Sequence, residues 1–337
     1  MKTVKVAMLG MGTVNRTLLK ILSTKKDRLA EDYGIVFKVL AATDSTGIIV
    51  DDNGLDFLTL VDHKETGGAL SDLLSFKGCQ VENVINSLDL DLLFEATPVH
   101  LETGGEALNI CRRALKNGIS VVLANKGPLV HGIGELLEIA KLSGAGLEYS
   151  ATVCGGLPIL NIGTRDMIAG DIKLIRGVFN GTSNFIIDAM SEGFTFDEGI
   201  EKARAVGAAE ADPSLDTGGW DTAFKLLILA NTVMGVNIKL SDISVEGIDN
   251  ITSKKIQKAK ELGKTIKLVA SVEGGKFNVK PIAEQRDSFL GSINGWEMGV
   301  EIHSDIYGIS YHKLYEKEPI PTAASMMRDA VNIFKDK

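Results

Sequence analysis

The sequence contains few cysteines, and their spacing forms neither a metal site nor a disulfide framework. The three thiols, Cys79, Cys111 and Cys154, are widely separated, and no CxxC pair occurs. Disulfide-rich domains and zinc modules need closely spaced cysteines, so the sequence favours neither class. Unpaired thiols are typical of a reducing compartment, and we therefore expect a cytoplasmic protein.

The sequence also lacks long apolar runs and an excess of basic residues. No apolar run reaches the ~18 residues that would span a bilayer. The N-terminus, MKTVKVAMLG, has no secretory h-region followed by a cleavage site. The net charge is −8, which disfavours nucleic acid or an anionic membrane as the main partner. We expect a small-molecule partner instead.

The chain has 337 residues, which is longer than one hydrophobic core usually supports, so two domains are predicted. Strands alternate with helices up to about residue 150, and a mixed pattern follows. The predicted fold class is α/β, with an N-terminal Rossmann-like doubly wound sheet over 1–150 and a mixed α+β domain over 151–314. A helix at about 315–337 is expected to pack back on the first domain.

A glycine turn follows the first predicted strand, residues 4–9. Gly10 permits a tight turn, and Gly12 lets the backbone approach a pyrophosphate, which the amides at a helix N-terminus then bind. Asn15 replaces the third glycine of the dinucleotide motif, which predicts looser packing between the helix and the strand. Strand, turn and helix in this order predict a nucleotide site.

The second predicted strand, residues 35–42, ends at Thr43 and Asp44. An acidic residue after this strand often accepts hydrogen bonds from the adenosine ribose, which would favour NAD over NADP. The alternative is that Asp44 is a turn residue of the DSTG segment, and the sequence does not distinguish the two. Residues 44–66 are predicted to form a loop.

Two further apolar strands, residues 92–96 and 120–124, end in polar loops. The carboxyl ends of parallel strands form the ligand-binding edge of an open sheet. The loop residues expected at this edge are Thr97, Pro98, Asn125 and Lys126. A lysine in a loop is usually solvated, but the position of Lys126 after a buried strand favours a role at the cofactor edge. The last strand of this domain is predicted over 146–152.

Beyond residue 152 strands and helices no longer alternate regularly, as is typical of a mixed α+β domain. Predicted strands cover 173–179, 266–272, 277–282, 296–303 and 306–311. Predicted helices cover 183–206, 217–235, 254–262 and 321–334.

The segment 208–231 places charged residues at the start of an apolar helix. Asp221 and Lys225 are four residues apart and therefore share one face of that helix. The preceding loop contributes three further acids, Glu210, Asp212 and Asp216. Charges beside an apolar helix must be paired or used in function. The alternative is a solvated loop followed by one surface ion pair.

Taken together, six segments of the chain resemble homoserine dehydrogenase. They are GMGTV, LANKGPLV, SATVCGGLPIL, RGVFNGTSNFII, GAAEADPSLDTGGWDTAFKLLILAN and PTAASMMRD. They follow the family's order over nearly the whole chain, and the NGTSN and EADP…GWD…K segments are the most specific. The resemblance implies NAD(P)-dependent interconversion of L-homoserine and L-aspartate 4-semialdehyde, a step of threonine and methionine biosynthesis. It also implies a nucleotide domain and a substrate domain that forms a homodimer.

The resemblance further implies roles for individual residues. Lys225 resembles the proton donor, Lys126 a catalytic and cofactor contact, and Asp221 a catalytic residue that binds homoserine. Further implied substrate contacts are Glu210, Asp216 and Thr182. The cofactor contacts, predicted from the strand ends or implied by the resemblance, are Gly10, Met11, Gly12, Thr13, Val14, Asp44, Thr97, Pro98, Asn125 and Lys126. Hydride addition to an aldehyde leaves negative charge on oxygen, which a lysine ammonium can stabilise and protonate.

A monovalent cation site is a feature of the family from which this sequence departs. Ser150 stands where the family usually has a glutamate near the ion. The backbone carbonyls near Val153, Gly155 and Leu157 could still hold sodium or potassium. Glu148, two residues before Ser150 on the same predicted strand face, is a hypothetical substitute for the missing carboxylate.

Two alternatives to a homoserine dehydrogenase remain open. The first is a related dehydrogenase of another amino-acid semialdehyde or hydroxy acid, and the second is a nucleotide-binding regulator without catalysis. Lys126 and Lys225 argue against the regulator, because a sensor needs no proton donor. The chain length leaves no room for an appended regulatory domain, so we expect weak or absent feedback by threonine. We also expect a two-fold dimer that uses one of the strands 173–179 and 296–303.

Overall fold

The computed structural model describes residues 1–100, 102–317 and 319–335. The chain forms two compact units, one of Met1–Gly156 with Pro319–Lys337 and one of Leu157–Glu318. The first unit therefore extends six residues beyond the predicted boundary at 150. In the described parts of the chain, no helix is long and apolar enough to cross a membrane.

The first unit contains a six-stranded sheet in the order β3-β2-β1-β4-β5-β6. Its strands are β1 Lys2–Leu9, β2 Ile35–Asp44, β3 Gly47–Val50, β4 Leu92–Glu95, β5 Ser120–Leu123 and β6 Leu147–Glu148. All neighbouring strands are parallel except β2 and β3, which form an antiparallel hairpin. The central strands are almost wholly apolar because helices cover both faces of such a sheet. The predicted doubly wound sheet is confirmed.

Helices connect the parallel strands of the first unit. They are α1 Thr13–Thr24, α2 Lys26–Tyr33, α3 Phe57–Glu65, α4 Val81–Ser87, α5 Gly105–Lys116 and α6 Gly127–Ser143. The C-terminal segment Ile320–Phe334, here called the closing helix, packs against α1. Its apolar face, including Met326 and Ala330, joins the core that also buries Val4 and Met8.

Two predictions for the first unit are wrong. Residues 44–66 are not a loop, because they contain β3 and α3, and Asp56 caps α3 by accepting a hydrogen bond from the Thr59 amide at 2.8 Å. The predicted strand 146–152 shrinks to two residues, and a 3₁₀ turn follows over Ser150–Thr152. The Ser150 amide bonds the Asp329 carboxylate at 2.8 Å, so it makes no ladder bond to β5.

The start of the closing helix also differs from the prediction. Residue 315 is the end of a strand, and the helix begins at Ile320. Pro321 lies in the first turn of that helix. Proline is tolerated there because its missing N–H group would have no helical partner.

The second unit contains its own six-stranded sheet in the order β12-β11-β7-β9-β10-β8. Its strands are β7 Ile172–Val178, β8 Ile243–Val245, β9 Lys264–Glu273, β10 Lys276–Gln285, β11 Glu297–Ser304 and β12 Gly308–Tyr315. All neighbours are antiparallel except β8 and β10. The three-residue strand β8 lies at the edge of the sheet and escaped prediction.

Helices of the second unit contact the middle of this sheet. They are α7 Ile159–Asn161, α8 Gly181–Ser191, α9 Phe196–Ala205, α10 Ser214–Thr217, α11 Trp220–Val233 and α12 Ser253–Glu261. The helices α8, α11 and α12 all contact β9. The predicted helix 183–206 is divided in two, because Thr195 and Glu198 form a capping box that starts α9.

Candidate active site

The glycine turn at the end of β1 has the backbone that a dinucleotide site needs. Gly10 has φ +82°, and a Cβ atom there would lie 2.8 Å from the Ala96 carbonyl oxygen, so only glycine fits. The Gly10 amide donates a hydrogen bond to Thr43 Oγ1 at 3.0 Å, and the Met11 amide donates to the Thr43 carbonyl at 2.8 Å. The end of β2 therefore holds the turn in place.

Asn15 occupies the position of the third glycine. Its side chain is fully buried, and Nδ2 donates hydrogen bonds to the carbonyls of Leu9 and Gly10, both at 2.9 Å. The side chain thus ties the first turn of α1 to the end of β1. Gly12 is the N-cap of α1, and Thr13 and Val14 form the first helical turn.

A cavity of about 270 Å³ opens at the carboxyl edge of this sheet. Its lining includes Leu9, Thr43, Asp44, Val81, Thr97 and Pro98. The structure therefore brings the predicted cofactor residues of β2 and β4 together around one space. Ligands of doubly wound sheets bind at this edge, where the strand order reverses.

Asp44 lies at the rim of this cavity, and its carboxylate is fully engaged within the chain. Oδ1 accepts hydrogen bonds from the amide of Thr46 at 2.8 Å and from its hydroxyl at 2.5 Å. Oδ2 accepts from Lys64 Nζ at 2.5 Å and from the Leu70 amide at 3.1 Å. Burial opposes ionisation, but the bonds from Lys64 and Thr46 prevail and lower the pKa of Asp44 to about 2.

These four donors fill the acceptor positions that a carboxylate offers. A ribose hydroxyl can therefore bind Asp44 only by displacing one of them. The geometry favours the turn-residue interpretation of Asp44. The ion pair with Asp44 keeps Lys64 next to a residue that lines the cavity. Lys64 Nζ also donates to the Gly68 carbonyl at 2.8 Å.

The loops after β4 and β5 are joined by side-chain hydrogen bonds. Asn125 Nδ2 donates to Thr97 Oγ1 at 3.2 Å, and Asn125 Oδ1 accepts from the Gly127 amide at 2.8 Å. The Lys126 carbonyl accepts the first amide bonds of α6, which places this lysine at the helix start. Asn125 is buried, whereas Lys126 is half-buried.

In the second unit, Lys225 and Asp221 form a close ion pair on α11. Lys225 Nζ lies 2.6 Å from Asp221 Oδ2, and it also donates to the Phe179 carbonyl at 2.7 Å. Only 12% of the Lys225 side chain and 16% of the Asp221 side chain are exposed. This is more burial than a surface ion pair has, so the alternative of a solvated pair is wrong.

Asn180 joins this pair to a second carboxylate. Its Nδ2 donates to Asp216 Oδ1 at 2.5 Å and to Asp221 Oδ2 at 2.8 Å. Its Oδ1 accepts from the Ser183 amide at 2.7 Å and so caps α8. The Asn180 side-chain amide therefore caps α8 and also holds the carboxylates of Asp216 and Asp221 in position near Lys225.

The two remaining predicted substrate residues occupy different surroundings. Thr182, in the first turn of α8, donates its hydroxyl to the Ala208 carbonyl at 2.5 Å. The Glu210 side chain is exposed, and the Arg204 guanidinium bonds its backbone carbonyl at 3.4 Å. The structure thus groups Asp216, Asp221 and Lys225 tightly and leaves the Glu210 carboxylate outside that group.

The sequence is similar to known proteins of one family. A family model described as Homoserine dehydrogenase matches residues 158–331. A homoserine dehydrogenase of Methanocaldococcus jannaschii is 36% identical over 335 residues, which cover 98% of each chain. An NAD(+)-dependent homoserine dehydrogenase of Pseudomonas canavaninivorans is 32% identical over 315 residues, which cover 90% of this chain and 88% of that protein.

A solved structure shows the same architecture. It is a hyperthermophilic archaeal homoserine dehydrogenase in complex with NADPH, with a TM-score of 0.87 and 28% identity. The match covers 100% of this chain and 99% of that chain. The chain belongs to the homoserine dehydrogenase family.

As a homoserine dehydrogenase, the chain departs from the family pattern around Ser150. The Gly155 carbonyl, one of the predicted cation ligands, accepts a hydrogen bond from Ser325 Oγ of the closing helix at 3.0 Å. Burial and the neighbouring Asp329 raise the pKa of Glu148 to about 7, against the opposing effect of Arg328. Glu148, at the end of β6, therefore lies near two charged residues of the closing helix, Arg328 and Asp329.

Two residues of the candidate site were missed from the sequence. Asn180 had no predicted role beyond its place in the NGTSN segment, although its amide contacts both Asp216 and Asp221. Glu95, the last residue of β4, is completely buried under Thr97, and burial raises its pKa to about 7 against the hydrogen bonds from Thr97. The sequence signal for Glu95 was an acidic residue within the otherwise apolar run LLFEA, which indicates a buried carboxyl group.

Proposed function

We propose that this protein interconverts L-homoserine and L-aspartate 4-semialdehyde with NAD(P) as the hydride carrier. The observation that carries the proposal is the anchored ammonium of Lys225, held between Asp221 Oδ2 at 2.6 Å and the Phe179 carbonyl at 2.7 Å. Family membership and the relatives named as homoserine dehydrogenases support the substrate.

When bound, NAD(P)H would supply a hydride to the aldehyde carbon in the reductive direction, and NAD(P)⁺ would accept it back from the alcohol carbon in the oxidative direction. Lys225 stabilises the charge that develops on the aldehyde oxygen and then donates a proton to it, which gives the hydroxyl of homoserine. In the oxidative direction the neutral amine of Lys225 takes the hydroxyl proton. Asp221 favours the ammonium form of Lys225 and fixes its orientation.

The acids of the second unit are suited to the substrate's amino group. Asp216 and Asp221 lie on either side of the Asn180 amide, which keeps two negative charges close together without direct contact. A protonated amine is the complementary ligand for such a pair. We assign Glu210 and Thr182 to the outer part of this substrate site, and Lys126 to the cofactor side of the reaction.

The cofactor is held by the first unit in this proposal. The glycine turn, with Gly10, Gly12 and the amides of Met11, Thr13 and Val14, binds the pyrophosphate, as helix N-termini do. The cavity lined by Asp44, Thr97 and Pro98 would take the adenosine. One relative is NAD(+)-dependent and one solved homologue binds NADPH, so the family uses both dinucleotides.

In the same proposal, a monovalent cation would bind in the loop after β6. The carbonyls of Val153, Gly155 and Leu157 would hold the ion, because sodium and potassium prefer oxygen ligands. The Ser325 hydroxyl already donates to the Gly155 carbonyl, so the closing helix also holds this loop in place. The ion's charge would steady the loop.

We further propose that the enzyme is a cytoplasmic homodimer. The three cysteines are free, as in a reducing compartment. Both β7 and β11 pair with a strand on each side, so neither offers an open edge. The strand β12 lies at the sheet edge and exposes Ile309 and Tyr311 by 52% and 54%. An exposed apolar edge strand of this kind is suited to pairing with a second copy.

The proposal is tested by following the nicotinamide absorbance of the purified protein. L-homoserine, L-serine, L-threonine and 3-hydroxybutyrate are compared, each with NADP⁺ and with NAD⁺. We expect L-homoserine to have the highest kcat/KM by at least about tenfold. 3-Hydroxybutyrate lacks the amino group that a site with two acids requires, and serine and threonine carry the hydroxyl one carbon closer to that group. Faster oxidation of another hydroxy acid would assign the enzyme to a different substrate. Cofactor binding without turnover would indicate a regulator.

A further inference from the structure

A buried carboxyl group lies directly beneath the loops of the cofactor site. Glu95 has no exposed surface, and its Oε1 accepts hydrogen bonds from the Thr97 amide at 2.9 Å and from the Thr97 hydroxyl. The Thr97 oxygen in turn accepts from Asn125 Nδ2 at 3.2 Å. Asn125 Oδ1 accepts from the Gly127 amide at 2.8 Å, where α6 begins. One hydrogen-bond chain therefore joins the ends of β4 and β5.

The direction of this chain is set at Glu95. An ionised carboxylate can only accept, so the Thr97 hydroxyl must donate to it. The Thr97 oxygen is then an acceptor, which Asn125 satisfies with its NH₂ group. The carbonyl end of the Asn125 side chain must consequently turn to the Gly127 amide. A single acceptor-only group thus orients two polar side chains in neighbouring loops.

We propose that Glu95 is a positioning residue for dinucleotide binding, whose carboxylate fixes the orientation of Thr97 and Asn125 at the cofactor edge. The role rests on the proposed nicotinamide cofactor. Thr97 lines the cavity beside Asp44, and Asn125 immediately precedes Lys126. Glu95 itself touches the loop residues and has no part in the chemical step.

A purely structural role explains Glu95 poorly. Its second oxygen, Oε2, is buried without a hydrogen-bond partner in the described residues, which is unfavourable for a polar atom. The preceding residues of β4 are apolar and fully buried, and an apolar side chain would suit the same space. Burial also raises the pKa of the Glu95 carboxyl to about 7, so ionisation there is energetically costly.

The test compares the whole protein with its Glu95→Gln and Glu95→Met variants. The dissociation constants of NADPH and NADH are measured by fluorescence titration, and kcat is measured at saturating cofactor. We expect both variants to bind the dinucleotides about tenfold more weakly, because Glu95→Met loses the acceptor for Thr97 and Glu95→Gln loses the charge that strengthens these hydrogen bonds. We expect kcat to fall by less than about threefold, since the chemical groups are untouched.

A pH series separates positioning from general destabilisation. Wild-type affinity should weaken between pH 8 and pH 6 as Glu95 takes up a proton, and the affinity of Glu95→Gln should change less. Cys111 of α5 faces Glu95, and burial and this carboxylate raise the pKa of its thiol, so it stays neutral over that range. Val122→Ala on β5 is the matched control, which should lower stability and leave cofactor affinity unchanged.

The outcomes distinguish this role from the proposed function. A wild type that binds neither dinucleotide overturns both the function and the role. A wild type that binds one, while both variants keep its affinity and pH dependence, overturns the role alone. Equal weakening in Val122→Ala would show that loss of stability, and not loss of orientation, accounts for the effect.

Discussion

Lys225 Nζ lies 2.6 Å from Asp221 Oδ2, one turn away on α11, and both side chains are largely buried. This arrangement holds a charged lysine in place at the edge of an apolar helix. A buried ammonium without an acid partner would lose its proton or destabilise the helix. The pair therefore stabilises an ammonium group at this position, and Asn180 connects it to Asp216.

Substitution of Asn180 should weaken substrate binding more than it weakens the fold. Asn180→Asp removes the donor between two carboxylates and adds a third negative charge, so the acids repel and separate. We expect the KM for L-homoserine to rise by about tenfold or more. Because the side chain also caps α8, Asn180→Ala should lower the free energy of unfolding by about 1 kcal/mol. Steady-state kinetics and urea denaturation measure the two effects.

The matched control for Asn180 is Thr195→Ala, which removes the N-cap of α9. It should cost a similar amount of stability and leave the KM unchanged. An unchanged KM in Asn180→Asp would show that the bridge between the acids has no role in binding. A KM that rises equally in Thr195→Ala would assign the effect to stability.

Asp44→Asn should alter cofactor preference through Lys64. The substitution removes the charge that pairs with Lys64 Nζ, and a cation near this strand end can accommodate the 2′-phosphate of NADP. We expect the NADP/NAD ratio of kcat/KM to rise by about tenfold. The KM for NAD should change by less than about threefold, because the acceptor positions of Asp44 are already filled.

The control for Asp44 is Asp51→Asn, where the carboxylate bonds the Asn53 amide at 2.8 Å in another turn. It should leave the cofactor ratio as in the wild type. A large rise in the KM for NAD in Asp44→Asn would instead show that this carboxylate binds the ribose hydroxyls.

Glu148 should make the protein less stable as the pH rises. Its pKa is about 7 in the folded state and 4.5 ordinarily, so the folded state binds the proton more tightly. The stabilisation is present below pH 4.5 and is lost as the pH rises through 7. Glu148→Gln should therefore gain stability over the wild type between these values, by at most about 3 kcal/mol.

Urea denaturation at several pH values measures this gain. The control is Glu138→Gln, an exposed carboxylate on α6, which should keep the wild-type pH dependence. If the free energy of unfolding of Glu148→Gln changes with pH as that of the wild type does, the raised pKa of Glu148 is contradicted. A sodium or potassium ion bound at Glu148 would also make the two stability curves parallel, because it would keep the carboxylate ionised. Repeating the series with each salt separates ion binding from an unshifted pKa.

Ile309→Lys should disrupt the proposed dimer. The residue lies on the edge strand β12 and exposes 52% of its surface, so a charge there opposes an apolar interface without disturbing the core. We expect a monomer by light scattering at concentrations where the wild type is a dimer. Leu142→Lys, also exposed but on α6, is the control and should keep the wild-type mass. A monomeric wild type, or a dimeric Ile309→Lys, would contradict the interface.

Much of the fold was predictable because the buried strands are continuous apolar runs. The strands β1, β2, β4 and β5 were predicted to within about two residues, since each is bounded by glycine or polar turn residues. The strand β8 was missed because its three residues carry too little pattern and form only beside β10. The strand after Gly146 was predicted too long, because a distant carboxylate, Asp329, captures the Ser150 amide.

Contacts of the candidate site were predictable between residues close together in the sequence and were missed between residues far apart. The spacing of Asp221 and Lys225 identifies their pair, because four residues make one helical turn. The contacts of Asn180 join residues 36 and 41 positions apart, and no local pattern reveals them. Glu95 was overlooked for a related reason, since the hydrogen bonds that link it through Thr97 to Asn125 join the ends of two different strands.

The most direct test of the account is the oxidation of L-homoserine by wild type, Lys225→Ala and Lys225→Arg, followed at the nicotinamide absorbance. We predict that kcat falls by about 10²–10⁴ in both variants, because alanine has no proton to exchange and arginine keeps its proton at neutral pH. Circular dichroism and cofactor titration confirm that each variant is folded and loaded. Turnover in either variant within about threefold of the wild type would contradict the role of Lys225 and transfer proton exchange to Lys126 or water.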